Sequence, residues 1–324
     1  AVTAIPNHTL DSDGFCTRCG GHQMAAKVSY THHSELNKTH NGYYAIENAG
    51  QLYWFADLVN GTLEYMPQDT TANAVLTTHI TVNSNVLNSD GSLNTDKSDS
   101  FRTWVPIGRK LLNRETFGGT FDGNTYAVSG LYLNNDSILD FIGLFGEINS
   151  HGTVKNVGVI DTYFYAYQNV GGISSGNGGT IANCYSQCNL TGYGYAYPFV
   201  APNVGGISYS NDGIISNCYS SCIVTGKEVT GVVCGKNNNI VVNCYYNQDI
   251  CTKPGIGVDH PQHPGQAEGK TTAQFQSGEV AHLLAKTRDT WDAVYDPTPW
   301  GQEIGVDDYP VLGGKRVYCA CTEG

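Results

Sequence analysis

The residues best equipped for chemistry sit near the N-terminus. In "HTLDSDGFCTRCGGH", residues 8–22, Cys16 and Cys19 are separated by two residues and flanked by His8 and His22. Two thiols at zinc-knuckle spacing, with imidazoles beside them, suit a structural tetrahedral zinc site. Metal bound there would staple a segment with little core of its own. Cys319 and Cys321 form a second close pair near the C-terminus. The four sulfurs could form one all-thiolate site or two disulfides, and disulfides suit an oxidising compartment. A catalytic zinc is not expected, because the sequence has no HExxH pair. The cofactor expectation is therefore none, or structural zinc.

Tyrosine is the second group. "DTYFYAYQ", residues 161–168, carries Tyr163, Tyr165 and Tyr167, and "TGYGYAYPF", residues 191–199, carries Tyr193, Tyr195 and Tyr197. Stacked on one another, such rings could bind carbohydrate or protein, or simply pack one layer onto the next. Carboxylates give less. Between 117 and 251 the acids are Asp122, Asp136, Asp140, Glu147, Asp161, Asp212, Glu228 and Asp249, without a common register. A polysaccharide lyase or hydrolase needs carboxylates gathered on one face. No nucleophile elbow, P-loop or dinucleotide fingerprint is present. "DSDG" and "NSDG" match half of a calcium loop and lack its distal Glu. His32, His33, His40, His260 and His263 fall in polar stretches that read as surface loops.

What would position these groups is a repeat. "GTVKNVGV", "GTIANCYS", "GIISNCYS" and "NIVVNCYY" superimpose on Asn156, Asn183, Asn217 and Asn243, at spacings of 27, 34 and 26 residues. Each follows a glycine box: "IGLFG" at 142, "VGGIS" at 170 and 204, "TGVVCG" at 230. The apolar runs are short, β-branched and without helical spacing. A propeller blade needs about 40–45 residues, so units this short fit one coil of a parallel β-helix. Stacked coils lie about 4.8 Å apart and place like residues on like. The expected fold is all-β dominated: a parallel β-solenoid of about four to five coils, with small α/β capping segments at both ends. The four Asn would bond amide to amide as a ladder, or else each takes a left-handed turn position; the ladder is the favoured reading.

The repeat also sorts the other cysteines. Cys184, Cys218 and Cys244 share their slot with Val157, which marks an interior column of small apolar groups. Cys188 and Cys222 would lie about 4.8 Å apart on adjacent coils, within disulfide reach. Eleven Cys is an odd count, so at least one sulfur is free or shared with another chain.

"FGGTFDGNTYAVSGLYL", "IGLFG", "GTVKNVGV" and "GTIANCYS" resemble the GLUG-motif repeats of secreted and surface proteins from gut-type bacteria. "IENAGQLYWFADLVNGT" is similar to the opening segment of such proteins, and "GKTTAQFQSGEVAHLL" with "WGQEIGVDDYPVLGG" to their closing segment. The resemblance spans residues 46 to about 314 and implies a non-catalytic surface module. Four regions follow: a Cys/His segment at 1–40, an N-terminal cap at 41–116, the solenoid at 117–252, and a linker loop with C-terminal cap at 253–324. In the cap, Leu52, Phe55, Ala56 and Val59 predict an amphipathic helix stopping at Asn60-Gly61, and 73–83 alternates like one strand. Phe275, Val280, Leu283 and Leu284 predict a C-terminal helix capped by Thr271 or Thr272.

Charged residues are 14% of the chain against 21 Tyr and 39 Gly, the composition of a turn-rich extracellular β protein. A net charge of −12 without a basic run argues against nucleic acid, and no apolar run is long enough to insert into a membrane. The functional expectation is a secreted, non-enzymatic surface or scaffold protein working by contact. It would adhere to extracellular glycan or protein, or assemble with copies of itself. The alternatives are a carbohydrate-binding adhesin module and a β-helix polysaccharide lyase or hydrolase.

Overall fold

The computed structural model describes residues 9–32, 38–109, 116–134, 141–194, 203–227, 229–262, 264–285 and 299–318. Strands dominate, and their pairing follows the repeat. Thr153–Lys155, Thr180–Ala182, Ile214–Ser216 and Ile240–Val242 pair in parallel, each with its counterpart one repeat on. Ser174–Asn177, Ser208–Asn211 and Cys234–Asn237 do the same in a second sheet. Gly158–Ala166, Tyr185–Gly192, Tyr219–Ser220 and Cys244–Asn247 do so in a third. Val170–Gly171, Asn203–Gly205 and Val229–Gly231 form a narrow fourth sheet. This is the topology of a parallel β-solenoid.

Local chemistry explains why the chain turns where it does. Asn156, Asn183, Asn217 and Asn243 all hold φ between 50° and 55°, the left-handed region that Asn tolerates better than most residues. The glycine boxes make the next corner. A Cβ on Gly171, Gly205 or Gly231 would run into the carbonyl of Ser174, Ser208 or Cys234 respectively. Along each strand alternate residues face inward: Val154, Ile181, Ile215 and Val241 are buried, each at most 3% exposed. With Phe121, Phe145, Val157 and Ile173 they form one continuous core.

The ladder runs further toward the N-terminus than residue 117. Lys38–Ile46 pairs in parallel with Ala74–Leu76, and that strand with Thr120–Asp122. Residues 73–83 do not form a single strand. Ala74–Leu76 joins the first sheet and Ile80–Thr81 joins another, so a corner falls between them. An antiparallel hairpin, Lys27–His32 with Lys38–Ile46, covers the first sheet's edge. Helix α1, Ala49–Asn60, plugs the core's open end. Its Phe55 meets the rings of Phe117 and Phe121, and Leu52, Phe55, Ala56 and Val59 are all buried. Asn48 caps it and Gly61 ends it at φ 71°.

The stretch 253–270, read as a linker, instead forms a last rung. Ile256–Val258 pairs in parallel with Cys234–Asn237, and Ala267–Lys270 with Cys244–Asn247. It has no Asn-Cys-Tyr anchor, so periodicity does not reveal it; parallel backbone pairing, the Asn237–Asp259 bond and the packing of Ile256 and Ala267 on the core hold it in register. The C-terminal helix is two helices, α2 at Thr272–Gln276 and α3 at Glu279–Ala285. Gly278, at φ 82°, divides them. Thr271 caps α2 in a reciprocal capping box with Gln274. With Trp300–Gly301 and Val311–Leu312 these helices pack over the side of the solenoid. Phe275, Val280, Leu284 and Trp300 bury Tyr219 and Tyr245 in a second core.

Candidate functional site

The alternation that buries Phe164 and Leu190 turns Tyr163 and Tyr165 outward on the long strand Gly158–Ala166. Tyr132, one rung back, is in register with Tyr163, and their rings stack at 6.2 Å and 23°. Tyr165 stacks on Tyr193 of the next rung at 4.6 Å and 11°, and Tyr167 meets Tyr193 edge-on at 5.7 Å. Phe101 adds an edge contact to Tyr132. The structure thus brings Tyr163, Tyr165, Tyr167 and Tyr193 into one half-exposed strip. Tyr195 and Tyr197 lie outside the described residues. Because stacked rings cover one another's faces, the strip presents mostly ring edges and phenol hydroxyls. Burial, then the neighbouring Tyr165 and Tyr132 phenols, pushes the Tyr163 phenol up, so it stays a neutral donor.

The anchor repeats build a second tyrosine column that the sequence reading did not single out. Tyr185, Tyr219 and Tyr245 stand in register two residues after the anchor Asn, and Tyr185 stacks on Tyr219 at 5.2 Å and 12°. This column is roofed: Tyr309 stacks on Tyr219, Tyr219 donates to the Pro310 carbonyl, and Trp300 donates to the Asn217 carbonyl.

The anchor Asn bond to one another in two separate runs as well as turning the chain, with a break between Asn183 and Asn217 where Asn183 Oδ1 meets no donor. Asn243 donates to Asn217 at 2.9 Å, Asn183 to Asn156 at 3.1 Å, and Asn156 to the Asp122 carboxylate at 3.1 Å. A second ladder went unread. Asn177 donates to Asn211 at 2.8 Å, Asn211 to Asn237 at 3.0 Å, and Asn237 to Asp259 at 2.8 Å. Its signal was present, since each member precedes an anchor Asn by the same six residues.

The thiols of Cys184, Cys188, Cys218, Cys222, Cys234, Cys244 and Cys251 are all buried. Cys184, Cys218 and Cys244 are buried beside Val157, as their shared slot implied. They also do something Val cannot. Each S–H reaches the carbonyl two residues back across the Asn turn: Ala182 at 3.2 Å, Ser216 at 3.1 Å and Val242 at 3.3 Å. Burial pushes the Cys188, Cys218 and Cys234 thiols up, which keeps them protonated. Cys188 and Cys222 are neighbours on adjacent rungs, and the Cys188 N–H points at the Cys222 sulfur at 3.3 Å. Both are thiols in the structure, not a disulfide.

Cys16 is buried while Cys19 is exposed, and His22 Nδ1 lies 2.7 Å from Asp57 Oδ2. Among the described residues no three His, Cys, Asp or Glu side chains gather to hold a metal. His8, Cys319 and Cys321 lie outside the described residues. The calcium-like stretches are turns: Asp11 accepts from the N–H groups of Asp13 and Phe15, and Asp90 accepts from both the backbone N–H and the hydroxyl of Ser92. Other carboxylates are similarly engaged. Asp161 accepts from the backbone of Val86 and Leu87, Asp212 from Asn238, and Asp249 from Thr272.

No family model matches the chain. Over 83 residues it is 35% identical to a protein of Evansella cellulosilytica described as a Gly-rich membrane protein, covering 25% of this chain and 9% of that one. Over 87 residues it is 29% identical to halomucin of Haloquadratum walsbyi, covering 27% of this chain and 1% of that one. The chain thus spans a small fraction of the curated relatives it matches. A solved structure from Bacteroides ovatus, described as an immunoglobulin A1 protease, aligns over 84% of this chain and 92% of its own. Its identity is 14% and its TM-score 0.44, too distant a likeness to carry an activity across.

Proposed function

We propose that this chain is a non-enzymatic, extracellular contact module: a solenoid of about four to five coils that presents the tyrosine strip to a glycan or protein partner. One observation carries the reading. Of two stacked tyrosine columns on one scaffold, one has Tyr219 and Tyr245 buried under the C-terminal cover, while every member of the strip of Tyr163, Tyr165, Tyr167 and Tyr193 stays half-buried. Tyr supplies contact area with few rotors to freeze and a hydroxyl for polar partners. The engagement of Asp122, Asp161, Asp212 and Asp249 in turns and ladders supports a role without hydrolysis. The resemblance to GLUG-motif surface proteins agrees with it, and among the described residues no helix is long and apolar enough to cross a membrane.

The test is a glycan array and an extracellular-matrix protein panel probed with the native chain and a Tyr165→Ser/Tyr193→Ser variant. A ligand should bind the native chain and lose at least about tenfold in affinity with the variant, whose circular dichroism stays native. Equal binding by both removes the strip from the function. Turnover of any polysaccharide in the same screen would overturn the non-enzymatic reading.

Self-assembly is the second reading, favoured by the C-terminal rung. There Ile240 and Val258, on the outermost strands of their sheets, are 43% and 42% exposed.

A further inference from the structure

Asp122 is fully buried although it sits on the outer side of its sheet, opposite the inward Phe121. The N-terminal hairpin closes over it. Tyr30, stacked on His40 at 5.1 Å and braced by Tyr43, donates its hydroxyl to Asp122 Oδ2 at 2.8 Å. The other oxygen, Oδ1, lies between two N–H donors: Asn156 Nδ2 at 3.1 Å and the Asn124 backbone at 2.8 Å. Lys155 is the residue paired with Asp122 on the next rung, and its Nζ stands 3.5 Å from Oδ2. The Lys155 side chain is 16% exposed and that of Asp122 0%.

These are the parts of an acyl-transfer site. Two N–H groups hold the oxygen on which negative charge would develop, a hydroxyl covers the oxygen that would leave, and the Lys155 ammonium stands beside that same carboxylate. We propose that Lys155 and Asp122 condense into an intramolecular amide that joins the two rungs covalently. The Nζ–Cγ bond forms and the Cγ–Oδ2 bond breaks. The ammonium gives up two of its three protons, and both leave with Oδ2 as one water. Tyr30 relays one of them, donating to the departing oxygen and taking a proton back from nitrogen. Oδ1 becomes the amide carbonyl, still held by Asn156 and Asn124. The step is a dehydration and needs no oxidant, metal or second substrate. Burial favours it, because a charged pair out of water is costly whereas an amide with its carbonyl satisfied is not.

Intact-mass spectrometry of the folded chain tests this directly. The chain should be lighter than its sequence mass by one water, and a tryptic digest should yield a branched peptide joining the segments that contain Asp122 and Lys155. Lys155→Arg, which keeps the positive charge, should return the sequence mass. Tyr30→Phe should slow the appearance of the linked form after refolding by about 100-fold. An unchanged rate removes Tyr30 from the reaction. A folded native chain at its full sequence mass overturns the proposal. So does a water loss confined to the Asp122–Gly123 step, where a succinimide would weigh the same. If Lys155→Arg does not fold, the branched peptide from the native chain still decides.

Discussion

At the scale of single residues, the repeated Asn does two jobs that the sequence presented as rivals. The left-handed φ is a property of its backbone, and the amide is left free to meet the next coil. Substitutions separate the two. Asn183 sits at φ 52° and donates to Asn156. Asn183→Gly keeps the turn and loses the amide bond, which should cost about 1 kcal/mol. Asn183→Ala loses the bond and also strains the backbone, for a total of about 2–3 kcal/mol. Urea midpoints of the two variants check this, and equal losses would mean the turn conformation contributes nothing. The cysteine slot was half legible. Its exchange with Val157 placed it inside, but nothing in the letters showed that the thiol reaches back across the Asn turn to a carbonyl already bonded to the backbone of the preceding rung. Asp122 was visible only as one of several scattered acids, because its importance comes from Tyr30 and Lys155, distant in sequence and adjacent in space.

At the scale of elements, helix α1 was readable from the spacing of its apolar residues and from Asn60-Gly61. The last rung was not, because Pro and Gly replace its anchor. Neither was the C-terminal cover's seat on the side of the coils: the repeated Asn-Cys-Tyr spells out the tyrosine column, but nothing in it says that the tail folds back over those rings. That seat should be sensitive to alkali. Burial pushes the Tyr185 and Tyr245 phenols from 10.0 up to about 12, and raises the Tyr219 phenol as well. An acid whose folded-state value is raised stabilises the fold fully below its unfolded value, and that stability is lost as pH climbs toward the folded one. The melting temperature should therefore hold up to pH 10 and fall between pH 10 and 12. These phenols should ionise, by ultraviolet absorbance, only as the structure opens. A flat melting temperature through that window would mean the column is wetter than its burial implies.

At the scale of the whole molecule, the repeat made the stacking legible and left its ends obscure. The N-terminal end is closed by a hairpin and a helix, while the last rung leaves Ile240 and Val258 exposed. If copies join there, light scattering should show association at micromolar concentration, and Ile240→Lys with Val258→Lys should return the monomer. Association unaffected by the double change would place the contact elsewhere. The two amide ladders add a property of their own. A carboxylate can only accept, so Asp259 orients Asn237, Asn211 and Asn177 in turn, while Asp122 orients Asn156 and Asn183, where that run stops because Asn183 Oδ1 meets no donor. Asp122 lies toward the N-terminal end of the stack and Asp259 on its last rung, so the two rows run in opposite senses. Their dipoles oppose each other along the axis, unlike the aligned peptides of an α-helix. Further coils could be inserted without building up a field, and neither pole of the cylinder would draw ions on that account.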